Sequence, residues 1–291
     1  MKGFCIRVAA ATVFLSPPPS LAQEIGPANG SLVIVGGAMR DTAIVNRFIR
    51  IAGGPDAPIV AIPTAGGGAT YDEYWSGLRL FKEAGATNLT VLHTTDPAVA
   101  NTDEFVQSLR DARGVWFGGG RQWRLADSYL NTRVHEELWN VLDRGGVIGG
   151  SSAGATIQGS YLARGDTRNN TTMMGDHVEG MGFLKNTAID QHLLRRNRQF
   201  DLLEIVEAHP DLLGIGIDEN TAIIVNGDEF SVIGQGYVAI YDHDRQIDTG
   251  GQFYFLAPGQ RFNLATREAF RMVERRQSIN RIVERPWPSN D

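Results

Sequence analysis

The sequence predicts an α/β fold in which a mainly parallel sheet is covered by helices on both faces. Short apolar runs alternate with longer amphipathic stretches over the first half of the chain, and the runs lack the polar alternation of half-buried strands. Beyond Leu212 the pattern changes to closely spaced strand-like runs. The chain has 291 residues, which is enough to enclose one large hydrophobic core.

Five apolar runs in the first half are typical of buried strands. They lie at residues 32–35, 59–62, 89–92, 115–117 and 147–148. Because helical stretches separate them, these strands are expected to run parallel within one sheet.

Three amphipathic stretches between these strands predict helices. The first follows a cap at Asp41 or Thr42, the second spans residues 71–84, and the third begins near Phe105. Apolar residues recur at helical spacing in them: Ile44, Val45, Phe48 and Ile49; Tyr74, Leu78 and Phe81; Phe105, Leu109 and Ala112.

The C-terminal part carries five strand-like runs, at residues 215–217, 222–225, 230–233, 238–241 and 253–256. Glycine-rich and aspartate-rich turns separate them, and Asn226-Gly227 is a strong hairpin signal. We expect these runs to form an antiparallel extension of the same sheet and not a second domain.

The first 22 residues are typical of a secretory signal peptide. Lys2 and Arg7 precede a short apolar segment, which prolines end, and small residues follow at Ser20 and Ala22. The apolar segment is far shorter than the ~20 residues that a membrane span requires. We therefore expect an exported protein, periplasmic or extracellular, with a signal peptide over residues 1–22. A single domain is expected over residues 23–291, with a frayed end from about residue 280.

Charge and cysteine content exclude several classes of function. The net charge is −6 and becomes −8 when residues 1–22, which carry Lys2 and Arg7 and no acid, are removed. An acidic exported protein is a poor partner for nucleic acid or for an anionic membrane. Cys5, the only cysteine, lies in the predicted signal peptide, so the exported chain has no disulfide, thiol nucleophile or thiolate metal site.

The segment from Gly150 to Ala155, Gly-Ser-Ser-Ala-Gly-Ala, follows a predicted strand and leads into a helix. Gly150 and Gly154 flank Ser152 in the G-x-S-x-G pattern of a nucleophile elbow, where a sharp turn exposes the serine hydroxyl. Ser152 is thus the candidate nucleophile. The alternative is a small-residue turn that packs a helix closely against the sheet.

A serine nucleophile needs a base and a group that orients the base. His192 follows a strand-like run and is the candidate base, and Glu219 lies at the end of another apolar run as the candidate orienting acid. The alternatives are a hydrogen-bonded structural histidine and an ordinary turn carboxylate.

The glycine run Gly118-Gly119-Gly120 also follows a predicted strand and precedes a helix. One amide of Gly119 or Gly120, together with that of Ala153, is the candidate oxyanion hole. Such glycines also suit phosphate binding or a plain turn, although the lysine of a P-loop is missing.

Three arginines, Arg195, Arg196 and Arg198, follow His192. Guanidinium groups beside an active site suit a carboxylate ligand, whereas a solvated helix face is the other interpretation. No metal site is expected, since the acids beside His135 do not form an H-E-x-x-H pattern.

Taken together, four segments resemble the serine peptidase family that contains the cyanophycinases and the aspartyl dipeptidases. They occur in the order of that family: Phe117-Gly118-Gly119-Gly120-Arg121-Gln122, Gly150-Ser151-Ser152-Ala153-Gly154-Ala155, Asp190-Gln191-His192 with its arginines, and Gly216-Ile217-Asp218-Glu219-Asn220-Thr221-Ala222. The similarity covers nearly all of the chain after residue 22.

The resemblance implies a three-layer α/β/α sandwich like that of class I glutamine amidotransferases. It implies a serine-type peptidase with Ser152 as nucleophile, His192 as base and Glu219 as orienting acid. The implied substrate is an acidic peptide or a cyanophycin-like polymer, and no metal or organic cofactor is implied. A homodimer is left open. The residues implied to line the pocket for a β-linked aspartyl unit are Gln122, Asp190, Gln191, Arg196 and Arg198.

Two positions depart from the family pattern. Arg121 stands where the family has an acid before the glutamine, and Asp201 stands where cyanophycinases have a further arginine. Asp201 reverses the local charge, so the resemblance specifies the reaction type more firmly than the substrate.

Two other classes of function remain open from the sequence. An esterase of the α/β-hydrolase type would use Ser152, Asp228 and His243 in that chain order. A non-catalytic exported binding protein would use the arginines to hold an acidic ligand.

Overall fold

The computed structural model describes residues 24–40, 42–244 and 251–270. The predicted signal peptide and the predicted frayed end lie outside the described residues. Among those residues, no helix is both long enough and apolar enough to cross a membrane.

The described residues form fourteen strands and eight α-helices. The strands are β1 Ser31–Val35, β2 Ile59–Ile62, β3 Leu89–Val91, β4 Gly114–Phe117, β5 Val147–Ser151, β6 Gly159–Tyr161, β7 Leu184–Gln191, β8 Leu213–Ile217, β9 Thr221–Asn226, β10 Glu229–Gly234, β11 Val238–Asp242, β12 Tyr254–Leu256, β13 Arg261–Asn263 and β14 Glu268–Ala269. The helices are α1 Thr42–Ala52, α2 Arg79–Glu83, α3 Pro97–Ala100, α4 Asp103–Asp111, α5 Gln122–Tyr129, α6 Arg133–Asp143, α7 Ala153–Thr156 and α8 Asp201–Ala208.

The main sheet has the strand order β14-β13-β10-β9-β1-β5-β4-β2-β3. Strands β1, β5, β4, β2 and β3 are parallel, as predicted. Strands β9, β10, β13 and β14 extend this sheet in antiparallel pairing. Because the parallel strands share one direction, the loops after β1, β4 and β5 emerge at the same edge of the sheet.

A second sheet, with the order β12-β11-β8-β7-β6, corrects part of the prediction. Run 215–217 belongs to β8, which pairs in parallel with β7, and runs 238–241 and 253–256 join this second sheet and not the main one. Strand β7 gives a weak sequence signal because Thr187, Asp190 and Gln191 interrupt its apolar residues, yet all three are buried.

The layers confirm the α/β sandwich. Helices α1 and α2 cover one face of the main sheet, where Phe48, Phe81 and Trp116 meet edge to face with centroid distances of 5.1–5.8 Å. Helices α4, α5 and α6 pack on the other face together with the inner side of the second sheet. Helix α8 covers the outer side of the second sheet. Burial of such aromatic side chains contributes about 1.5–3 kcal/mol each.

The helix predicted at 71–84 forms only in its second half. A 3₁₀ turn at Ser76–Leu78 leads into α2, and residues 71–75 form an irregular loop. The Tyr71 hydroxyl accepts a hydrogen bond from the Gly68 amide at 2.8 Å, and Asp72 accepts one from Tyr74 at 3.0 Å. These local bonds compete with helical ones over residues 71–75.

Candidate active site

Ser152 lies at the sharp turn between β5 and α7. Its backbone has φ 58° and ψ −114°, a conformation that a non-glycine residue rarely adopts. The Ser152 amide donates to the Val35 carbonyl at 3.0 Å, which ties the turn to the end of β1. The predicted nucleophile is therefore held in a strained position at the edge where the parallel strands end.

The two glycines of the pattern are required by close backbone approaches. A Cβ on Gly150 would lie 2.2 Å from the Gly154 carbonyl oxygen, and a Cβ on Gly154 would lie 2.3 Å from the Phe117 carbonyl oxygen. No side chain fits at either position without moving backbone. The G-x-S-x-G pattern thus has a steric cause in this fold.

Ser152, His192 and Glu219 form one hydrogen-bonded line. Ser152 Oγ lies 2.9 Å from His192 Nε2, and His192 Nδ1 lies 2.7 Å from Glu219 Oε1. With the imidazole proton on Nδ1, Nε2 accepts from the serine hydroxyl and Nδ1 donates to the carboxylate. These three residues come from the loops after β5, β7 and β8, as the sequence prediction required.

The loop after β1 holds the imidazole. The His192 amide donates to the Gly36 carbonyl at 2.7 Å, and His192 itself has a positive φ of 56°. A Cβ on Gly37 would lie 2.3 Å from Cε1 of the imidazole ring. Sequence reasoning missed Gly36 and Gly37, although a glycine pair directly after a predicted strand was a usable signal.

The same loop also fixes the carboxylate. The amide of Asn220, next to Glu219, donates to the Gly37 carbonyl at 2.9 Å. Asn220 has a φ of 52°, which turns the chain sharply between β8 and β9. Gly37 therefore packs against the His192 ring with its Cα, and its carbonyl accepts a hydrogen bond from the turn that carries Glu219.

The environment of His192 favours the neutral imidazole. Burial lowers its pKa below 6.5, and the nearby charges of Arg196 and Arg198 lower the pKa further. The hydrogen bond to Glu219 and the charge of this carboxylate act in the opposite direction. A neutral histidine at neutral pH is the form that can take a proton from serine.

The predicted oxyanion loop lies beside the serine. A Cβ built on Gly119 would lie 3.4 Å from Ser152 Cβ, and Gly120 has a φ of 144°. Within the described part of the chain, the amides of Gly119, Gly120 and Ala153 donate to no protein acceptor. They are thus free to bind a negatively charged oxygen next to Ser152.

Asp190 forms a buried ion pair that the sequence did not reveal. Arg164 donates to it through Nε at 2.8 Å and through Nη2 at 3.1 Å, and both side chains are almost completely buried. Arg164 also donates to the Asn170 carbonyl at 3.0 Å and to Asp201 Oδ2. Arg164 therefore bridges the carboxylates of Asp190 and Asp201, which share its single positive charge. No sequence signal identified Arg164, because it lies in a long segment without regular structure.

The other predicted pocket residues have protein partners too. Arg198 donates through Nη1 to both the carbonyl and the side-chain oxygen of Gln191, at 3.1 and 3.0 Å. Gln122 is fully buried and donates through Nε2 to the carbonyls of Ala163 and Arg164, at 2.7 and 2.9 Å.

Arg196 alone of the five predicted pocket residues is exposed. Arg121, the other departure from the family pattern, donates to the carbonyls of Asp166 and Asn169. It thereby holds the same irregular segment that carries Arg164.

Asp228 and His243, the alternative esterase pair, are not brought to the serine. Asp228 Oδ1 accepts from the amides of Ile25 and Gly26, and the half-exposed His243 ring lies 3.3 Å from Asp244. Among the residues that the structure describes, no group of three metal-ligating side chains is present.

An α/β sandwich with serine, histidine and carboxylate in hydrogen-bond contact is the arrangement of a serine-type hydrolase. The family model for Peptidase family S51 matches residues 32–233, a span that includes all three residues. The chain belongs to this family of serine-type peptidases.

Relatives named cyanophycinase are similar over most of the chain. The protein from Geminocystis herdmanii (strain PCC 6308) is 34% identical over 221 residues, which cover 73% of this chain and 80% of the relative. The protein from Nostoc sp. (strain PCC 7120) is 31% identical over 274 residues, covering 84% and 89%.

Two solved structures are similar as well. The crystal structure of a peptidase from an acI-B1 Actinobacterium has a TM-score of 0.65 at 25% identity and covers 82% of this chain and 98% of its own. A putative peptidase E protein from Listeria monocytogenes EGD-e has a TM-score of 0.50 at 17% identity, covering 71% and 99%, and shows the shared fold alone.

Proposed function

We propose that this peptidase is exported and that it hydrolyses aspartyl linkages through an acyl-enzyme on Ser152. The proposed linkages are β-aspartyl ones, like those of a cyanophycin-like polymer. The proposal rests on two hydrogen bonds in series. One joins Ser152 Oγ to His192 Nε2 at 2.9 Å, and the other joins His192 Nδ1 to Glu219 Oε1 at 2.7 Å. The substrate class is supported by two similar proteins that are named cyanophycinase.

In the first half of the reaction, His192 Nε2 takes the Ser152 proton as Oγ attacks the carbonyl beside an aspartyl unit. The carbonyl oxygen becomes negative and accepts hydrogen bonds from the amide of Gly119 or Gly120 and from that of Ala153. Glu219 keeps the imidazole oriented and stabilises its positive charge. His192 then gives the proton to the leaving amine, and an ester on Ser152 remains.

In the second half, water attacks the ester and gives its proton to His192 Nε2. The tetrahedral oxyanion forms at the same amides, and collapse returns the proton to Ser152 Oγ. The cycle balances with water as the only co-reactant, so this chain's residues are sufficient for each proton transfer.

In this proposal, Arg196 and Arg198, which follow His192, bind the acidic group of the substrate. Arg196 is exposed beside the imidazole, and Arg198 extends a guanidinium that is tied to Gln191 on one side. Asp190 and Asp201 are both bound to Arg164, so these carboxylates oppose an incoming anion less than free ones would. Gln122 and Asp190 support this pocket by holding the Arg164 segment in place.

Mass spectrometry of the products formed from cyanophycin and from a panel of aspartyl peptides tests the proposal. Wild type and Ser151→Ala, the matched control one residue away, are expected to release β-Asp-Arg dipeptide, whereas Ser152→Ala is not. Release by Ser152→Ala at the wild-type rate would disprove the role of this serine. Cleavage of ordinary aspartyl peptides but not of cyanophycin would disprove the polymer substrate.

Export is tested separately by expressing the full-length chain in a Gram-negative host and determining the N-terminus of the periplasmic protein. A start near Gln23 is expected, because small residues occupy positions 20 and 22. A cytoplasmic protein that keeps residues 1–22 would overturn this part.

A further inference from the structure

A chain of hydrogen bonds lies next to the oxyanion loop and is not used by the mechanism above. The Thr94 amide lies 3.1 Å from the Tyr129 hydroxyl, which lies 2.6 Å from Thr64 Oγ1. Thr64 Oγ1 in turn lies 2.8 Å from His93 Nδ1. Both Thr64 and Tyr129 are completely buried, so water does not replace these bonds.

The direction of each bond follows from the donors available. The Thr94 amide only donates, so the Tyr129 oxygen accepts and its buried hydroxyl hydrogen needs an acceptor, which is Thr64 Oγ1. The Thr64 hydroxyl then donates to His93 Nδ1. Every donor in this chain is satisfied when the His93 ring is neutral, in agreement with burial lowering the pKa of His93.

Thr64 also begins the 3₁₀ turn Thr64–Gly66, on which the oxyanion loop rests. The Ala65 carbonyl accepts from the Arg121 amide at 2.9 Å and from Arg124 Nη1 at 3.1 Å. The backbone of Gly120 lies so close that a Cβ there would be 2.0 Å from the Ala65 oxygen. A shift of this turn would therefore move Gly120 and Arg121 with it.

The loop also lies next to the serine. Gly119 precedes Gly120, and its Cβ position is 3.4 Å from Ser152 Cβ. Removal of one oxyanion donor from a serine peptidase costs about 10²–10³-fold in kcat, so a displaced donor is costly as well. A displacement of about 1 Å in an active site costs up to about 10²-fold in rate.

We propose that Tyr129, acting through Thr64 and supported by His93, is a positioning residue for the oxyanion amides of Gly119 and Gly120. This inference rests on the proposed acyl-enzyme at Ser152. It gives this buried hydrogen-bond chain a role in stabilising the transition state and none in substrate binding, because within the described residues none of its members is hydrogen-bonded to Ser152, Arg196 or Arg198.

The test compares Tyr129→Phe with Tyr161→Phe. Tyr161 is also buried, but its hydroxyl makes no hydrogen bond within the described ranges. Measured quantities are kcat and KM for the hydrolysed substrate, the second-order rate of Ser152 labelling by a fluorophosphonate, and the melting temperature. The labelling reaction also builds negative charge on an oxygen in the oxyanion hole, and it does not depend on which peptide is the natural substrate.

Tyr129→Phe is expected to lower both kcat and the labelling rate about tenfold or more, with KM changed less than twofold. Thr64→Val is expected to behave alike, and Thr64→Ser, which keeps the hydroxyl, is expected to remain near wild type. Unchanged labelling and kcat in a folded Tyr129→Phe protein would overturn the inference. Equal losses in Tyr161→Phe would overturn it too, since the effect would then be one of general packing. A wild-type protein that is neither labelled nor active would instead overturn the proposed function, and this role with it.

Discussion

Gly37 lies against the imidazole of His192, and the backbone there leaves no room for a side chain. A Cβ on Gly37 would be 2.3 Å from Cε1, 2.6 Å from Nδ1 and 2.8 Å from Nε2. The loop after β1 therefore packs directly against the imidazole ring of His192. This packing limits how far the ring can move away from Ser152.

Gly37→Ala is expected to lower kcat by about 100-fold or more, because the methyl group displaces the ring from its line with Ser152 and Glu219. The substitution also places alanine at φ +129°, which is strained in itself. Gly54→Ala is the matched control, since Gly54 has φ +112° with nothing within 4 Å of its Cβ position. Both variants should lose stability in urea unfolding, Gly37→Ala more so because its methyl group also meets the His192 ring, but Gly54→Ala should keep its kcat. Equal kcat values in the two variants would contradict this view of Gly37.

The activity, measured as kcat/KM, is expected to fall on the acid side only below pH 6.5, where His192 becomes protonated. This fall is the acid limb of the pH profile. Burial, Arg196 and Arg198 lower the pKa of His192, so its base form persists at pH values where an ordinary histidine is already protonated. Arg196→Gln removes a positive charge that lowers this pKa, and it should move the limb towards higher pH. Arg195→Gln, a change at the neighbouring exposed arginine, should leave the limb in place. The check is a pH profile of kcat/KM for the three proteins, and a wild-type limb above pH 6.5 would contradict it.

The triad was predictable from the sequence because each member has a local signal. Ser152 lies in a glycine pattern, Glu219 follows an apolar run, and His192 follows the short apolar pair Ala188-Ile189, which was enough to suggest a strand end. Arg164 has no such signal. Its partners Asp190 and Asp201 are 26 and 37 residues away, and only the folded chain brings them together.

The second sheet was missed for a related reason. Strand β7 carries buried polar residues whose partners come from other segments, such as Arg164 for Asp190. Apolar periodicity therefore fails in the strand that leads to His192. Local rules fail where polar groups are buried for a function, which is where the pocket is built.

Arg164→Met is expected to destabilise the protein by about 3–5 kcal/mol, because it removes the bidentate partner of the buried Asp190 carboxylate and leaves only the longer contact to Arg198 Nη1, at 3.8 Å. Asp201→Asn should cost far less, since Asp201 is 34% exposed and Arg164 keeps its bidentate pair with Asp190. Adding Asp190→Asn to Arg164→Met should restore part of the loss, because the charge is then gone. Urea unfolding at pH 7 measures all of these variants. A larger loss in Asp201→Asn than in Arg164→Met would refute the assignment of Asp190 as the main partner.

The His177 bridge is expected to make stability depend on pH. His177 Nε2 lies 2.7 Å from Asp127 on α5, and Nδ1 lies 3.2 Å from Asp176. Burial acts to lower the pKa of His177, but the hydrogen bonds to Asp127 and Asp176 outweigh it and raise the pKa above 6.5. A raised pKa in the folded state means that the bridge stabilises the folded protein fully below pH 6.5. This contribution is lost as the pH rises through the pKa that His177 has in the folded state.

Because α5 begins at Gln122, the bridge also holds the Arg164 segment to the oxyanion side of the site. Melting temperatures of wild type and Asp127→Asn should therefore differ most at pH 6 and converge by pH 9. Asp143→Asn, a change at an exposed helix acid, should show no such convergence, and a difference that grows with pH would disprove the role of the bridge.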